Sequence, residues 1–145
     1  MIESKRKGNL TELQCLSAFV ELGANVSIPF GEDSRYDFIA DIDGKLLKIQ
    51  CKSSSEIFDN EGNVLAIKFR TVRTSGSNSK KQWRHKYTKD EIDYFSTYYN
   101  NKCYLVPVEE CSIEKILRFV PPRSGMLKRV AFAKNYELQE VYEKL

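Results

Sequence analysis

Three polar residues of different chemistry stand close together in the stretch YDFIADIDGKLLKIQCK: Asp37, Gln50 and Lys52. A carboxylate, an amide oxygen and an ammonium group suit a hydrolytic site around Mg²⁺, which prefers oxygen ligands in octahedral geometry. We expect Asp37 to be the main ligand, with the Gln50 side chain and the Cys51 backbone carbonyl at further positions. Lys52 would hold the attacking water or help to deprotonate it. This arrangement suits hydrolysis of a phosphodiester.

Glu12 is the second carboxylate that we expect at this site. The apolar pattern predicts a helix over residues 9–22, with Asn9 and Glu12 forming a capping box at its start. Glu12 falls inside the apolar arc of that helix, beside Leu16 and Phe19. A carboxylate on an inward face is costly unless a cation meets it. Glu12 is therefore expected to bind the metal, directly or through water.

Asp43-Gly44 predicts a two-residue type I′ turn that joins the strands YDFIADI and KLLKIQCKSS. Such a turn fixes the register, so Asp37 lands opposite Gln50, and Lys52 lies on the same face. The other face is apolar and is expected to belong to the core: Tyr36, Phe38, Ala40, Ile42, Leu47, Ile49 and Cys51. A competing interpretation stays open, in which the polar residues are a solvated strand face and Glu12 is only a capping partner.

Along the whole chain, the predicted elements follow the order α-β-β-β-α-β-α. Strands are predicted along the quoted hairpin and along NVLAIKFRTVR, and a helix is predicted over 88–101, opened by a capping box of Thr88 and Glu91. A buried strand over 103–110 follows, then a short helix over 112–120 that Pro121-Pro122 ends, and a C-terminal helical pattern. With 145 residues, one domain spanning 1–145 and of the α/β class is expected, with helices flanking a mixed sheet.

Composition excludes several classes of protein. A hydrophobic fraction of 41% argues against disorder, and no apolar run is long enough for a membrane span or a signal peptide. The four cysteines lack C-x-x-C spacing and His85 is the single histidine, so we expect reduced core cysteines and no zinc site. A cytoplasmic location and no membrane partner follow as expectations.

A basic stretch indicates a nucleic-acid partner, because no acidic residue occurs between Val64 and Lys89. We predict a DNA-contacting loop around residues 70–89, opening off a β-ribbon. The expected DNA contacts are Lys5, Arg6, Lys7, Arg35, Ser53, Ser54, Lys68, Arg70, Arg73, Lys80, Lys81, Arg84, His85 and Lys86. The plainer alternative is a solvated loop anchored by Trp83.

The candidate site resembles the PD-(D/E)XK nuclease superfamily, whose signature is an Asp on one strand, (D/E)-x-K on the next and a Glu from the first helix. The matching pieces are Asp37 in SRYDFIAD, Gln50-Cys51-Lys52 in KIQCKSS and Glu12 in GNLTELQCLSAF. The later stretches YTKDEIDYFSTYY, YLVPVEE and FAKNYEL resemble the branch of bacterial group I intron-encoded homing endonucleases. Two departures are Tyr36 in place of the Pro and Gln50 in place of the acidic residue.

This resemblance implies a Mg²⁺-dependent endonuclease for double-stranded DNA on an α/β/α sandwich, with Mn²⁺ as a substitute ion. It implies catalytic roles for Glu12, Asp37, Gln50 and Lys52, and a homodimer or homotetramer acting on the bacterial nucleoid. Two alternatives share the fold: a Holliday-junction resolvase or a restriction-type nuclease, and a DNA-binding module that has lost catalysis. A third is a protein-interaction domain whose basic loop meets an acidic partner.

Overall fold

A computed structural model of the chain describes residues 3–31, 33–75 and 83–145. The helices are α1 (Glu3–Glu21) and α2 (Leu138–Glu143), with 3₁₀ turns at Val108–Glu110 and Ala133–Tyr136. The strands are β1 (Asn25–Ser27), β2 (Phe38–Ile42), β3 (Lys45–Cys51), β4 (Ser55–Phe58), β5 (Val64–Arg70), β6 (Val72–Ser75), β7 (Trp83–Lys86), β8 (Tyr94–Tyr99), β9 (Lys102–Pro107) and β10 (Glu114–Arg118). Within these ranges, neither helix has the length and apolar character that crossing a membrane requires.

The central sheet has the strand order β1-β2-β3-β8-β9, and it is mixed because β3 and β8 run parallel while the other neighbours are antiparallel. The turn between β2 and β3 has positive φ at Asp43 (51°) and Gly44 (89°), as a type I′ turn requires. Ile42 pairs with Lys45 beside it. The predicted α/β class, the mixed sheet and the hairpin register are all confirmed.

Helices α1 and α2 cover one face of this sheet. Cys15 and Phe19 of α1 are fully buried there, and the rings of Phe19 and Phe38 meet edge to face at 5.3 Å. Leu138 of α2 joins the same cluster. The predicted core face of the hairpin is confirmed for Phe38, Ala40, Ile42, Leu47, Ile49 and Cys51. Tyr36 is the exception, because it precedes β2 and packs against the opposite cluster.

A three-stranded antiparallel sheet, β10-β5-β4, contributes Ile67, Phe69 and Leu117 to the core on the other face. They pack with Phe95 and Val106 of the central sheet. Strands β6 and β7 form a separate two-stranded ribbon. The central sheet is therefore held between helices on one side and a second sheet on the other.

Three predicted helical features are wrong. Helix α1 begins at Glu3, so Asn9 and Glu12 lie inside the helix and form no capping box. The segment predicted as a helix over 88–101 is a turn followed by β8, whose aromatic and β-branched residues pair with strands on both sides. The helix predicted over 112–120 is the strand β10, which pairs with β5.

Candidate active site

Asp37 is fixed at the point where β2 begins, against the end of β3. Its backbone N–H donates to the Ile49 carbonyl at 2.7 Å. Its carboxylate Oδ2 accepts from the Cys51 N–H, also at 2.7 Å. The β2–β3 register ends with Phe38 opposite Ile49, one step before the predicted Asp37–Gln50 pair. The Asp37 carboxylate therefore lies beside the segment that carries Gln50 and Cys51.

Glu12 reaches the same place from α1. The buried side of the helix carries Thr11, Cys15 and Phe19, and Glu12 is half-buried next to Thr11. Burial raises the pKa of Glu12, and the nearby charge of Asp37 raises that pKa further. The structure therefore brings together the two predicted carboxylates, which come from different parts of the chain.

The pKa of Asp37 is shifted in the same direction as that of Glu12. Burial raises the pKa of Asp37 above its usual value, although the hydrogen bond from Cys51 and the charge of Lys52 act to lower it. Both carboxylates are partly buried, and the charge of Asp37 also disfavours ionisation of Glu12, so a cation bound between them would favour the charged form of each. Glu12 and Asp37 are thus two carboxylates whose charged forms a divalent ion would stabilise.

Gln50 supplies the next oxygen of the predicted set. It is half-buried on β3 and pairs with Phe95 of the parallel strand β8. Over the described ranges, no group of three or more His, Cys, Asp or Glu residues is placed to hold a metal. A metal at this site would therefore rely on two carboxylates and neutral oxygens, which the Gln50 amide and the Cys51 carbonyl provide, and this all-oxygen set fits Mg²⁺.

Lys52 follows β3 directly and is anchored by the same parallel pairing. Its N–H donates to the Ser96 carbonyl at 2.8 Å. Its Nζ lies 5.2 Å from the centre of the Tyr87 ring, and its charge acts on the pKa of Asp37. Lys52 is therefore close to the Asp37 carboxylate. Tyr87 was not among the predicted residues, because nothing in its sequence neighbourhood distinguishes it from a loop aromatic.

A cavity of about 470 Å³ opens beside Lys52. Its lining is Lys7, Lys52, Ser53, Ser54, Ser55, Lys68, Phe69, Arg70 and Glu114. Glu114, the acidic member of this lining, lies 3.9 Å from the Lys68 ammonium group. The remaining cations give the cavity an excess of positive charge, which suits a phosphate backbone. We call this cavity the basic cleft.

The start of α1 shapes one wall of the basic cleft. The Lys7 ammonium group donates to the Ser54 carbonyl at 3.0 Å. The Thr11 and Ser53 hydroxyl groups are hydrogen-bonded at 3.0 Å. These contacts hold the serine segment after Lys52 against the helix. The structure thus brings five of the predicted DNA-contacting residues around the cleft, namely Lys7, Ser53, Ser54, Lys68 and Arg70.

The other predicted DNA contacts lie outside the cleft lining. Lys5, Arg6 and Lys86 are exposed. Arg35 is ion-paired with Glu91, and its guanidinium lies 4.5 Å from the centre of the Tyr87 ring. The backbones of Arg73, Arg84 and His85 belong to the ribbon formed by β6 and β7, with Arg73 opposite His85. Lys80 and Lys81 lie outside the described residues.

Comparison with known proteins adds two findings. The sequence model of a family described as PD-(D/E)XK endonuclease matches residues 2–139. The solved structure of a bacterial homing endonuclease, I-Ssp6803I, is similar with a TM-score of 0.74, over 99% of this chain and 95% of that chain, at 24% sequence identity. No match was found among curated proteins. The structural likeness extends across the whole fold, including the strands that carry the candidate site.

Proposed function

The chain belongs to the PD-(D/E)XK endonuclease family, and from this premise we propose that it is a Mg²⁺-dependent endonuclease that hydrolyses phosphodiester bonds in double-stranded DNA. Mn²⁺ is the substitute ion that we expect. The observation that carries this proposal is the meeting of Glu12 and Asp37 next to Lys52 at the edge of a basic cleft.

In this proposal Asp37 and Glu12 hold the ion, and the Gln50 amide oxygen and the Cys51 carbonyl complete its protein ligands. The ion, when bound, supplies positive charge to the scissile phosphate and makes a water molecule more acidic. Lys52 donates to the phosphate and orients the attacking water. As the water oxygen bonds to phosphorus, the water gives up a proton to the solvent, the bond to the 3′ oxygen breaks and that oxygen takes a proton from the solvent, leaving a 5′-phosphate and a 3′-hydroxyl. Lys7, Lys68 and Arg70 hold the flanking phosphates in the basic cleft.

We propose that the chain is one domain and acts as a symmetric homodimer or homotetramer. The two strands of duplex DNA have opposite polarity, so two copies of one site related by a twofold axis address both strands alike. Exposed apolar side chains on α1 suit such an association: Leu10 is 54% exposed, Leu13 65% and Val20 50%. The likeness to a homing endonuclease favours a homing role over resolution of junctions or restriction.

A DNA-binding module that has lost catalysis is the second candidate, and Gln50 is the observation that favours it. The amide removes one negative charge from the position where the family pattern has an acid. Such a module would keep the basic cleft and the ribbon, which bind phosphates without metal chemistry. Cleavage and metal binding separate the two candidates.

Metal dependence is the direct test of the proposed function. A library of duplex DNA incubated with the protein and Mg²⁺ or Mn²⁺ should yield defined cut products, and excess EDTA should abolish them. Equal cutting with and without EDTA would exclude a site based on Glu12 and Asp37. If no cut product forms with either ion while the protein binds duplex DNA, the module without catalysis is the correct interpretation.

Gln50→Glu is expected to tighten Mg²⁺ binding and to leave cleavage present or increased. The substitution keeps the side-chain length and adds a third carboxylate to a site that has two. Calorimetric titration with Mg²⁺ in the presence of DNA measures the affinity. Gln139→Glu adds the same charge on α2, away from the site, and should change neither quantity. Unchanged Mg²⁺ affinity in Gln50→Glu would show that position 50 does not contact the ion.

A further inference from the structure

We propose that Tyr87 is a positioning residue for Lys52, and that its ring, which also contacts the Arg35 guanidinium, holds the Lys52 ammonium group at the site. This inference rests on the proposed function for Lys52. Both cations contact the same ring, with Lys52 Nζ at 5.2 Å and Arg35 Cζ at 4.5 Å from its centre. Both distances lie within the range of cation–π attraction. No sequence motif points to this residue.

The ring is fixed to the sheet that carries the site. The Tyr87 and Phe95 rings meet edge to face, with centres 5.3 Å apart and an interplanar angle of 88°. Phe95 is buried and is the register partner of Gln50 across the β3–β8 pairing. Because Phe95 has little freedom to move, Tyr87 presents its electron-rich face from a defined place next to Gln50 and Lys52.

Arg35 is held on the ring by a second set of contacts. Its guanidinium is ion-paired with Glu91. The Glu91 Oε1 atom accepts hydrogen bonds from the Thr88 N–H at 3.0 Å and from the Thr88 hydroxyl at 3.2 Å. The Nε and Nη2 atoms of Arg35 are buried and have no hydrogen-bond partner among the described residues. The Tyr87 ring and the Glu91 carboxylate therefore offset the cost of partly desolvating the Arg35 guanidinium.

This geometry brings two cations to one aromatic ring before DNA is bound. Arg35 and Lys52 carry the same charge and repel each other, whereas the Asp37 carboxylate attracts Lys52. Glu91 offsets the Arg35 charge, and the ring attracts Lys52. Tyr87 also follows β7 directly, so the ring lies where the two-stranded ribbon joins the body of the protein. The ring therefore places Lys52 for catalysis without touching the reacting atoms.

The experiment measures single-turnover cleavage and DNA affinity for Tyr87→Phe, Tyr87→Leu and 3,4,5-trifluorophenylalanine at position 87. The fluorinated ring keeps the shape of Phe and loses the electron density of its face, so it remains informative if Tyr87→Leu does not fold. We expect the Tyr87→Phe variant to cut DNA at close to the wild-type rate, and the Tyr87→Leu and fluorinated variants to cut about tenfold more slowly. DNA affinity should stay nearly constant. Tyr136→Leu is the matched control, because Lys115 Nζ lies 5.5 Å from the Tyr136 ring centre, away from the site.

A second readout does not depend on cleavage. In protein labelled at lysine, the Lys52 ε-CH₂ protons, assigned by their loss in Lys52→Arg, should be shifted upfield by the Tyr87 ring. The shift should persist in Tyr87→Phe and disappear in Tyr87→Leu. If the wild type does not cut DNA, the proposed function fails, and this resonance still decides whether Tyr87 holds Lys52. The inference would be overturned if the fluorinated variant cut at the wild-type rate, or if Tyr87→Phe or Tyr136→Leu lost as much rate as Tyr87→Leu. It would also be overturned if the Lys52 resonance had the same shift in Tyr87→Leu as in the wild type.

Discussion

Asp37→Asn is expected to abolish cleavage and Mg²⁺ binding while making the folded protein more stable at neutral pH. Cleavage should fall by roughly a thousandfold or more, because the substitution removes the principal negative charge that holds the ion. The fold should persist, since an Asn oxygen can still accept from the Cys51 N–H that Asp37 binds at 2.7 Å. Cleavage assays and Mg²⁺ calorimetry measure the first effect.

The gain in stability follows from the direction of the pKa shift. Burial raises the pKa of Asp37 in the folded state. A carboxyl group with a raised folded pKa contributes stability below its unfolded pKa and loses that contribution as the pH rises through its folded value. The stability advantage of Asp37→Asn should therefore grow as the pH rises from acid to neutral. Urea denaturation across that range, in EDTA, measures it.

Asp93→Asn is the matched control for both effects. Asp93 also is half-buried and accepts a backbone N–H, from Lys48 at 2.8 Å, but it is not among the candidate site residues. Cleavage should survive this substitution. If Asp37→Asn cuts as well as the wild type, Asp37 is only a structural partner of Cys51. If Asp37→Asn is less stable than the wild type at neutral pH in EDTA, the charge of Asp37 does not destabilise the folded protein as its burial indicates.

Lys52→Ala is expected to reduce cleavage by about a thousandfold, with DNA affinity nearly unchanged. The lost interaction is one that strengthens as charge develops on the scissile phosphate, so it affects the reaction more than ground-state binding. The other cations of the basic cleft remain to hold the backbone. Single-turnover cleavage at saturating DNA and equilibrium binding in EDTA give the two quantities separately.

Lys68→Ala supplies the opposite pattern as a control. Lys68 lines the basic cleft, and its ion pair with Glu114 is exposed and long at 3.9 Å. Its loss should weaken binding, lower the salt dependence of binding by about one released counterion, and leave the rate at saturation intact. If Lys52→Ala behaved like Lys68→Ala, Lys52 would be a phosphate-binding residue with no special part in the chemistry.

Local signals predicted the hairpin well. Asp43-Gly44 dictates a turn whose register follows from backbone geometry, so the amino-acid sequence alone predicts the observed pairing from Ile42–Lys45 to Phe38–Ile49. The Thr88–Glu91 capping contact also forms as predicted. The helix after it does not, because the YFSTYY segment gains two strand partners in the central sheet. Tertiary pairing overrode a correct local cap.

Long-range contacts determine the two features that the sequence does not predict, the place of Tyr87 and the second sheet. Tyr87 acquires its place from Arg35, Lys52 and Phe95, which are distant from one another in the chain and meet only in the folded sheet. The second sheet was missed for a similar reason, since β10 was predicted as a helix and only its pairing with β5 makes it a strand. No pattern within a single segment carries such information.

The parallel pairing of β3 with β8 also has a consequence for biosynthesis. The β2–β3 hairpin forms from neighbouring residues, and it can close as soon as it leaves the ribosome. The backbone anchor of Lys52 on Ser96, by contrast, waits until the strands β4 to β7 and then β8 itself have been translated and the chain between residues 52 and 96 has closed into a loop. Under the proposed roles, Asp37 is fixed in the hairpin before the backbone of Lys52 is anchored on β8. A truncated or still-growing chain would then be unable to nick the genome that encodes it, and nuclease activity would appear only with the completed sheet.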